Sequence, residues 1–227
     1  GAAWVFTRNG TTWTEQAKLV GTGGTLATQG ISVSLSADGN TALIGCPEDG
    51  LYNGAAWVFK RTGSSWAQVT KLVGTGNVGA AGQGWSVSLS GDGNTAMVGG
   101  YVDNGEQGAV WVFTQSGGTW TQQGNKLVGT GGSGNPRQGT SVSLSADGNK
   151  AIVGGPEDAG GTGASWVFTR TGGVWTQQGN KLVGTGGSAA KQGHSVSLSG
   201  DGNTFIQGGP HDNADFGAAW VFYNDPC

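Results

Sequence analysis

An aspartate recurs at one place in four similar segments of the chain, as Asp49, Asp103, Asp158 and Asp212. A carboxylate accepts hydrogen bonds from neighbouring hydroxyl groups, and an aromatic side chain close by can stack on the apolar face of a sugar ring. The pattern therefore predicts carbohydrate binding. The alternative is that each Asp accepts hydrogen bonds from backbone N–H groups of its own loop, which is the commoner use of a loop Asp.

Aromatic and imidazole side chains near these loops complete the predicted ligand set, and they are Tyr52, Trp85, Tyr101, His194 and His211. Trp85 is the most informative of them. Its equivalents in the other segments are Ile31, Thr140 and His194, so packing does not fix this position and a large aromatic there favours a ligand contact.

Signs of catalysis are weak. The chain has neither a Gly-Xaa-Ser-Xaa-Gly elbow with partners nor a His-Glu-Xaa-Xaa-His motif, and it holds two histidines. Adjacent acids stand at Glu48–Asp49 and Glu157–Asp158, but their spacing in the fold is open at this stage. We expect a binding protein that is not an enzyme.

The elements that position these residues belong to a repeat of 53 to 55 residues. Gly-Ala-Ala-Trp-Val-Phe at 1–6 returns at 54–59 and 217–222, with near-copies at 108–113 and 163–168. Its tryptophans are expected to pack between sheets. A unit of this length forms roughly one four-stranded sheet, which cannot bury both of its faces alone, so the copies must pack against each other.

One period predicts four strands, which we call A to D. Alternation of apolar and small polar residues marks strand A at Ser141–Ser145, and an Asp-Gly-Asn turn leads to strand B at Lys150–Gly154. Strand C follows at Ala164–Thr169 and strand D at Trp175–Val183. The chain would hold four A, four B, five C and four D strands in four sheets.

These patterns predict an all-β fold, a β-propeller with four blades per chain, each a four-stranded antiparallel sheet. Trp13–Val20 would serve as the outer strand of the last blade, so that N- and C-terminal strands close the ring together. One C strand is then surplus, and two chains forming an eight-bladed ring is the alternative. We expect one domain over 1–227, with units at about 1–53, 54–107, 108–162 and 163–216 and a terminal strand at 217–227.

The loops between strands B and C and between strands D and A differ from unit to unit, whereas the turns between A and B are nearly identical. Varied loops on a constant scaffold are typical of a binding face. We therefore place the ligand on the face of the B–C and D–A loops.

The repeated motifs resemble the FG-GAP repeat of integrin α-subunit propellers and of related lectin and surface proteins. The resemblance rests on Gln-Gly-Xaa-Ser-Val, Asp-Gly-Asn, Val-Gly-Gly-Pro and Gly-Ala-Xaa-Trp-Val-Phe, and it spans nearly the whole chain. It implies a propeller and a role in sugar binding or cell adhesion. Calcium-binding FG-GAP turns carry a run of Asp and Asn residues, whereas each turn here offers one carboxylate, so we expect no cofactor.

Composition limits the partners further. The net charge is -3 and the 11 Lys and Arg residues are scattered singly, which gives no footprint for nucleic acid. No apolar stretch approaches the roughly 20 residues that span a bilayer, and the chain begins at Gly1 without Met, so we expect a secreted or extracellular protein.

Cys46 and Cys227 should end on opposite faces. An intramolecular disulfide is therefore awkward, and an intermolecular bond or two thiols are the alternatives.

The leading hypothesis is a lectin-like protein that holds glycans or glycoproteins weakly at repeated sites on the loop face and gains avidity from their number. An extracellular adhesion or protein-interaction module of the integrin type is the second hypothesis, and a purely structural repeat array is the third. A homodimer through the surplus terminal strand or through Cys46 and Cys227 is open.

Overall fold

The computed structural model describes residues 1–25 and 28–223. In them the chain is all-β, with 17 strands in five separate antiparallel sheets. The first sheet is a two-stranded hairpin of β1 (Ala3–Asn9) and β2 (Thr12–Leu19). The second has four strands, β3 (Ser32–Leu35), β4 (Thr41–Cys46), β5 (Ala55–Thr62) and β6 (Ser65–Leu72).

The later sheets repeat this order. The third consists of β7 (Ser86–Leu89), β8 (Thr95–Gly100), β9 (Ala109–Ser116) and β10 (Thr119–Gln122). The fourth consists of β11 (Ser141–Leu144), β12 (Lys150–Gly155), β13 (Ala164–Thr171) and β14 (Val174–Gln177). The fifth has three strands, β15 (Ser195–Leu198), β16 (Thr204–Gly209) and β17 (Ala218–Tyr223). The predicted four A, four B, five C and four D strands are present, but β14 ends at Gln177 where strand D was expected to run to Val183. The described residues form five sheets, so the predicted count of four was wrong.

The prediction of a closed four-bladed propeller was also wrong. Within residues 1–25 and 28–223, β2 pairs with β1 alone and β17 pairs with β16 alone, so no sheet joins the two ends of the chain and none is closed. The reason is local. A turn at Gly10, which has a φ of 57°, brings β2 directly onto β1. Pairing β2 with a strand about 200 residues away would require closing a far longer loop.

Serine side chains join the A strands of successive sheets. The Oγ of Ser86 donates to the carbonyl of Gly139 at 2.8 Å, and the backbone N–H of Leu144 donates to the Oγ of Ser88 at 3.0 Å. Hydrogen bonds of the same kind join β3 to the third sheet and β11 to the fifth. Small polar side chains therefore let these strands lie side by side, as their alternation predicted.

The repeated tryptophans form the core between sheets. Trp57, Trp111 and Trp166 are fully buried, and the Nε1 of Trp111 donates to the carbonyl of Thr75 at 2.9 Å. The backbone approaches the indole so closely that a Cβ on Gly74 would lie 2.0 Å from it. Trp4 departs from the prediction that all five are core residues: it is 53% exposed, because the first sheet has neither an A nor a B strand among the described residues.

Each B–C loop contains a short helical turn, and these are α1 (Asp49–Tyr52), α2 (Asp103–Glu106), α3 (Asp158–Gly161) and α4 (Asp212–Asp215). They are not ordinary helices, since residues in each have left-handed backbone angles, as at Asn104 (φ 51°, ψ 50°). Among the described residues, no helix has the length and apolar character needed to cross a membrane. Cys46 is buried at the end of β4, whereas Cys227 lies outside the described residues, so the disulfide question stays open.

Candidate ligand-binding site

A cavity of about 310 Å³ opens on the face of the B–C and D–A loops. Its lining combines four of the predicted ligand residues, Trp85, Tyr101, His194 and His211, with five others: Arg137, Thr140, Pro156, Glu157 and Lys191. Three repeat units contribute to it. The structure therefore brings the two most distinctive aromatics and both histidines into one site.

The lining residues share an origin in the repeat. Each of the nine occupies one of four positions in its unit. Two of these positions are the residues just before and just after the repeated Gln-Gly pair, and the other two are the first and second residues after strand B. We call these the four variable positions. Before the pair stand Thr28, Gly82, Arg137 and Lys191, and after it stand Ile31, Trp85, Thr140 and His194. The sequence differs between units at the positions that face the cavity.

An aromatic pair forms one wall. The rings of Trp85 and Tyr101 meet edge to face, with centroids 4.7 Å apart and planes at 70°. Trp85 is 38% exposed, which is unusual for an indole that packing alone would position. Its backbone N–H donates to the carbonyl of Gly82 at 3.2 Å, which fixes the turn that carries it. The pair offers a partly solvated apolar surface.

Two ion pairs lie beside the aromatic pair. The guanidinium of Arg137 lies over the Tyr101 ring at 5.7 Å and donates to the Oε2 of Glu106 through Nε at 3.1 Å and Nη2 at 2.7 Å. The ammonium of Lys191 donates to the Oε1 of Glu157 at 2.8 Å. The hydrogen bond that Arg137 donates to Glu106 raises the pKa of its guanidinium, and burial partly offsets this effect, so the cation stays charged. The cavity thus places fixed charges beside an aromatic platform.

The backbone holds both cations in an unfavourable conformation. Arg137 has a φ of 57° and Lys191 a φ of 55°, in the left-handed region where a Cβ is penalised, whereas the equivalent residue in the second unit is Gly82. Strained residues cluster at functional sites. A glycine would suit this turn better, so the choice of Arg and Lys needs a reason other than folding.

The histidines lie at the rim. His194 and His211 are exposed, and the Nδ1 of His211 lies 2.5 Å from the Oδ1 of Asp215. A second cavity of about 440 Å³ adjoins the first, since both are lined by Arg137 and Glu157, and it adds Glu106 and Asn135. The binding surface therefore extends beyond one cavity along the same face.

The recurring aspartates do not face the cavity. Asp49, Asp103 and Asp158 are buried, and each forms an ion pair with a lysine of the next D-strand segment: Lys71, Lys126 and Lys181. The Oδ1 of Asp103 also accepts from the backbone N–H of Val78 at 2.8 Å. The Oδ1 of Asp212 accepts the matching bond from Ser188 at 2.9 Å. These contacts give the aspartates a structural role, but the donors lie in the preceding D–A loop or on a lysine, whereas the alternative predicted N–H groups of the aspartate's own loop.

Tyr52 also lies apart from the cavity lining. Its side chain is 54% exposed, and its backbone carbonyl accepts from the N–H groups of Ala81 and Gly82.

The aspartates of the A–B turns are also satisfied within the chain. The Oδ1 of Asp38 accepts from the Oγ of Ser36 at 2.6 Å and from the backbone N–H of Asn40, while Oδ2 accepts from the side chain of Asn40. The hydroxyl of Ser36, followed by the Asn40 donors, lowers the pKa of Asp38 to about 2. Each carboxylate therefore closes its own hairpin.

Sequence reasoning missed the charged part of the site. Arg137, Glu157 and Lys191 were not singled out, because charged side chains on a varied loop are ordinarily solvated. A signal was present: aligning the units at the position before Gln-Gly shows two cations where another unit has glycine.

Fold and site together describe an all-β repeat protein with two adjoining cavities on its varied loop face. The chain matches no protein-family model and no curated protein, so the FG-GAP resemblance stays a prediction. One solved structure that resembles it is the crystal structure of TolB from Acinetobacter baumannii, with a TM-score of 0.47 and 14% identity. The match covers 85% of this chain and 43% of the TolB chain, so it spans less than half of that protein.

Proposed function

We propose that this chain is a carbohydrate-binding protein of lectin-like type, without enzymatic activity, whose binding site is the cavity lined by Trp85 and Tyr101. The observation that carries the proposal is the origin of the lining. In repeats that are otherwise nearly identical, the four variable positions of three units meet in one place. Packing explains the constant positions, and ligand contact explains the varied ones.

The chemistry suits a sugar. An exposed indole beside a phenol ring offers the apolar surface on which a pyranose ring stacks, and the polar groups of Glu157, Lys191 and Thr140 offer donors and acceptors for its hydroxyls. A cavity of about 310 Å³ is at the small end of ligand pockets, which fits one or two sugar residues. The geometry favours one composite site over four equal sites. A secreted location remains part of the proposal.

The test is a glycan array followed by titration calorimetry on the sugars that bind. Trp85→Ala should weaken binding about tenfold, since losing the stacking surface removes roughly 1 kcal/mol or more. Ile31→Ala is the matched control: it changes the equivalent exposed position in the first unit, outside the cavity, and should leave affinity unchanged. A blank array would refute sugar binding and favour the adhesion hypothesis. Equal loss in both variants would refute the site.

Exposed apolar side chains on the second and fifth sheets also favour a partner, and we propose that it is a second copy of this chain. Ile206 and Val221 on the fifth sheet are 42% and 61% exposed, whereas their equivalents Met97 and Val112 are at most 1% exposed under the next sheet. On the second sheet, Val33 and Leu35 are 61% and 55% exposed, whereas Val87 and Leu89 are covered. Successive sheets inside the chain pack against each other through these same positions. The exposed residues of the fifth sheet correspond to one side of that contact, and those of the second sheet correspond to the other side.

Head-to-tail contact between copies would bury these side chains as the internal sheets do. Sedimentation velocity should show association at micromolar concentration that Val221→Asp abolishes. Val69→Asp is a control at another exposed valine. A monomer at all concentrations, or equal effects of both substitutions, would refute this contact.

A further inference from the structure

The cavity is positively charged at the end of its aromatic wall. Its lining contains two fixed cations, Arg137 and Lys191, and one carboxylate, Glu157. Among the Arg, Lys and carboxylate residues of this lining, the cations therefore exceed the carboxylates by one. Glu106 offsets Arg137, but it lines the adjoining cavity and holds the guanidinium through Nε and Nη2.

Both cations converge on one oxygen and keep donors to spare. The Nη1 of Arg137 lies 3.8 Å and the Nζ of Lys191 2.8 Å from the Oε1 of Glu157. The first distance is too long for a hydrogen bond, so Nη1 has no hydrogen-bond acceptor among the described residues. Lys191 uses one of its three donors on Glu157. A second carboxylate beside Glu157 would find a donor from each cation.

The strained backbone supports the same conclusion. Cations occupy left-handed positions in two neighbouring units, and both side chains reach the same cavity. Glycine adopts this left-handed conformation with less strain than Arg or Lys. A cation that only faced water would therefore give no advantage at these positions. An anionic ligand group explains the placement, because charge-assisted hydrogen bonds to it are about twice as strong as neutral ones.

We propose that the cavity binds a saccharide that carries a carboxylate, a sugar of the uronic-acid class. Its carboxylate lies between the Nη1 of Arg137 and the Nζ of Lys191, and its ring stacks on Trp85 and Tyr101. The guanidinium lies 5.7 Å from the Tyr101 ring, so carboxylate and ring contacts fall within the span of one sugar residue. This inference rests on the proposed carbohydrate-binding function and adds its ligand class.

The experiment compares four probes by calorimetry at one fixed pH: methyl glucuronide, its methyl ester, methyl glucoside and glucose 6-sulfate. The free uronate should bind about tenfold or more tightly than its ester and the neutral glucoside, with the preference weakening at high salt. Arg137→Gln should reduce the ratio of uronate to ester affinity to near one, and the ratio is the readout because Arg137 also lines the cavity. Arg8→Gln, on the exposed surface of β1, is the control and should keep the ratio.

Lys191→Gln should lower the same ratio, and it serves as the second variant if Arg137→Gln does not fold. Equal binding of uronate and glucoside would overturn the carboxylate inference and leave sugar binding standing. Tighter binding of the sulfate than of the uronate would also overturn it. Failure of all four probes, together with a blank glycan array, would remove the proposed function itself.

Discussion

Replacing Asp103 by Asn tests whether the recurring aspartates hold the fold or contact a ligand. The Asp103 side chain is 1% exposed, its Oδ2 pairs with Lys126, and its Oδ1 accepts from the backbone of Val78. Asparagine keeps the acceptor for Val78 but points an amide at the ammonium. Removing one half of a buried ion pair costs about 3 to 5 kcal/mol, and we expect about 3 here because water still reaches Lys126, which is 18% exposed.

The assay is urea unfolding followed by tryptophan fluorescence, and the chain supplies its own control. Asp212 occupies the same loop position in the fourth unit, but its carboxylate has no lysine partner among the described residues and accepts one hydrogen bond, from Ser188. Asp212→Asn keeps that acceptor and should change the free energy of unfolding by less than about 1 kcal/mol. Unfolding of stacked repeats need not be two-state, so the comparison uses the transition midpoint of each variant.

Two results would refute the reasoning. If Asp103→Asn and Asp212→Asn shift the midpoint equally, the lysine pair does not stabilise the unit. If Asp103→Asn keeps the stability of the wild type and loses sugar binding, the buried carboxylate serves the ligand and not the loop.

Two further predictions concern the scaffold. Gly74→Ala should lower the free energy of unfolding by about 1 to 3 kcal/mol, because the added Cβ would lie 2.0 Å from the Trp111 ring. Gly200→Ala is the control: the nearest neighbour of its Cβ is 3.6 Å away, and the free energy of unfolding should change by less than about 0.5 kcal/mol. The melting temperatures of the two variants are compared with that of the wild type, and equal shifts would contradict the packing argument. The pKa of Asp38 is lowered from 3.8 to about 2, chiefly by Ser36, so its ionised form stabilises the fold fully above pH 3.8 and loses this effect as the pH falls toward 2. The gap in melting temperature between wild type and Asp38→Asn should therefore narrow from pH 4 to 2, and a constant gap would contradict the assignment.

The strands were predictable because the same local sequence pattern occurs in each of the four units. Alternating residues around Val142, the Asp-Gly-Asn turns and the Trp-Val-Phe runs are local signals, and the structure forms the expected strands there. Closure was not predictable in this way. It depends on whether β2 pairs with the neighbouring β1 or with the distant β17, and the same C-strand pattern at both ends makes the two pairings look equal in sequence.

The site was predictable in part for a similar reason. Trp85 stood out because its equivalents in the other units are unlike it, and the cavity includes it. Recurrence alone does not separate a ligand contact from a shared packing need. Asp49, Asp103 and Asp158 each pair with the equivalent lysine of the next D-strand segment, Lys71, Lys126 and Lys181. Their burial depends on contacts between strands far apart in the chain, which no local pattern reveals.

The repeat itself explains why ligand residues can vary beside a constant frame. Gln138 is buried, and its side-chain amide accepts from the N–H of Gly129 at 2.6 Å and donates to the carbonyl of Gly129 at 2.9 Å. These two hydrogen bonds tie the loop that carries Arg137 and Thr140 to the preceding D–A segment. Gln83 clamps Gly74 with the same pair of bonds in the second unit, where Gly82 and Trp85 flank it. Because a buried glutamine makes the same pair of hydrogen bonds in both units, the residues next to it, and with them the lining of the cavity, differ between units on the same local frame.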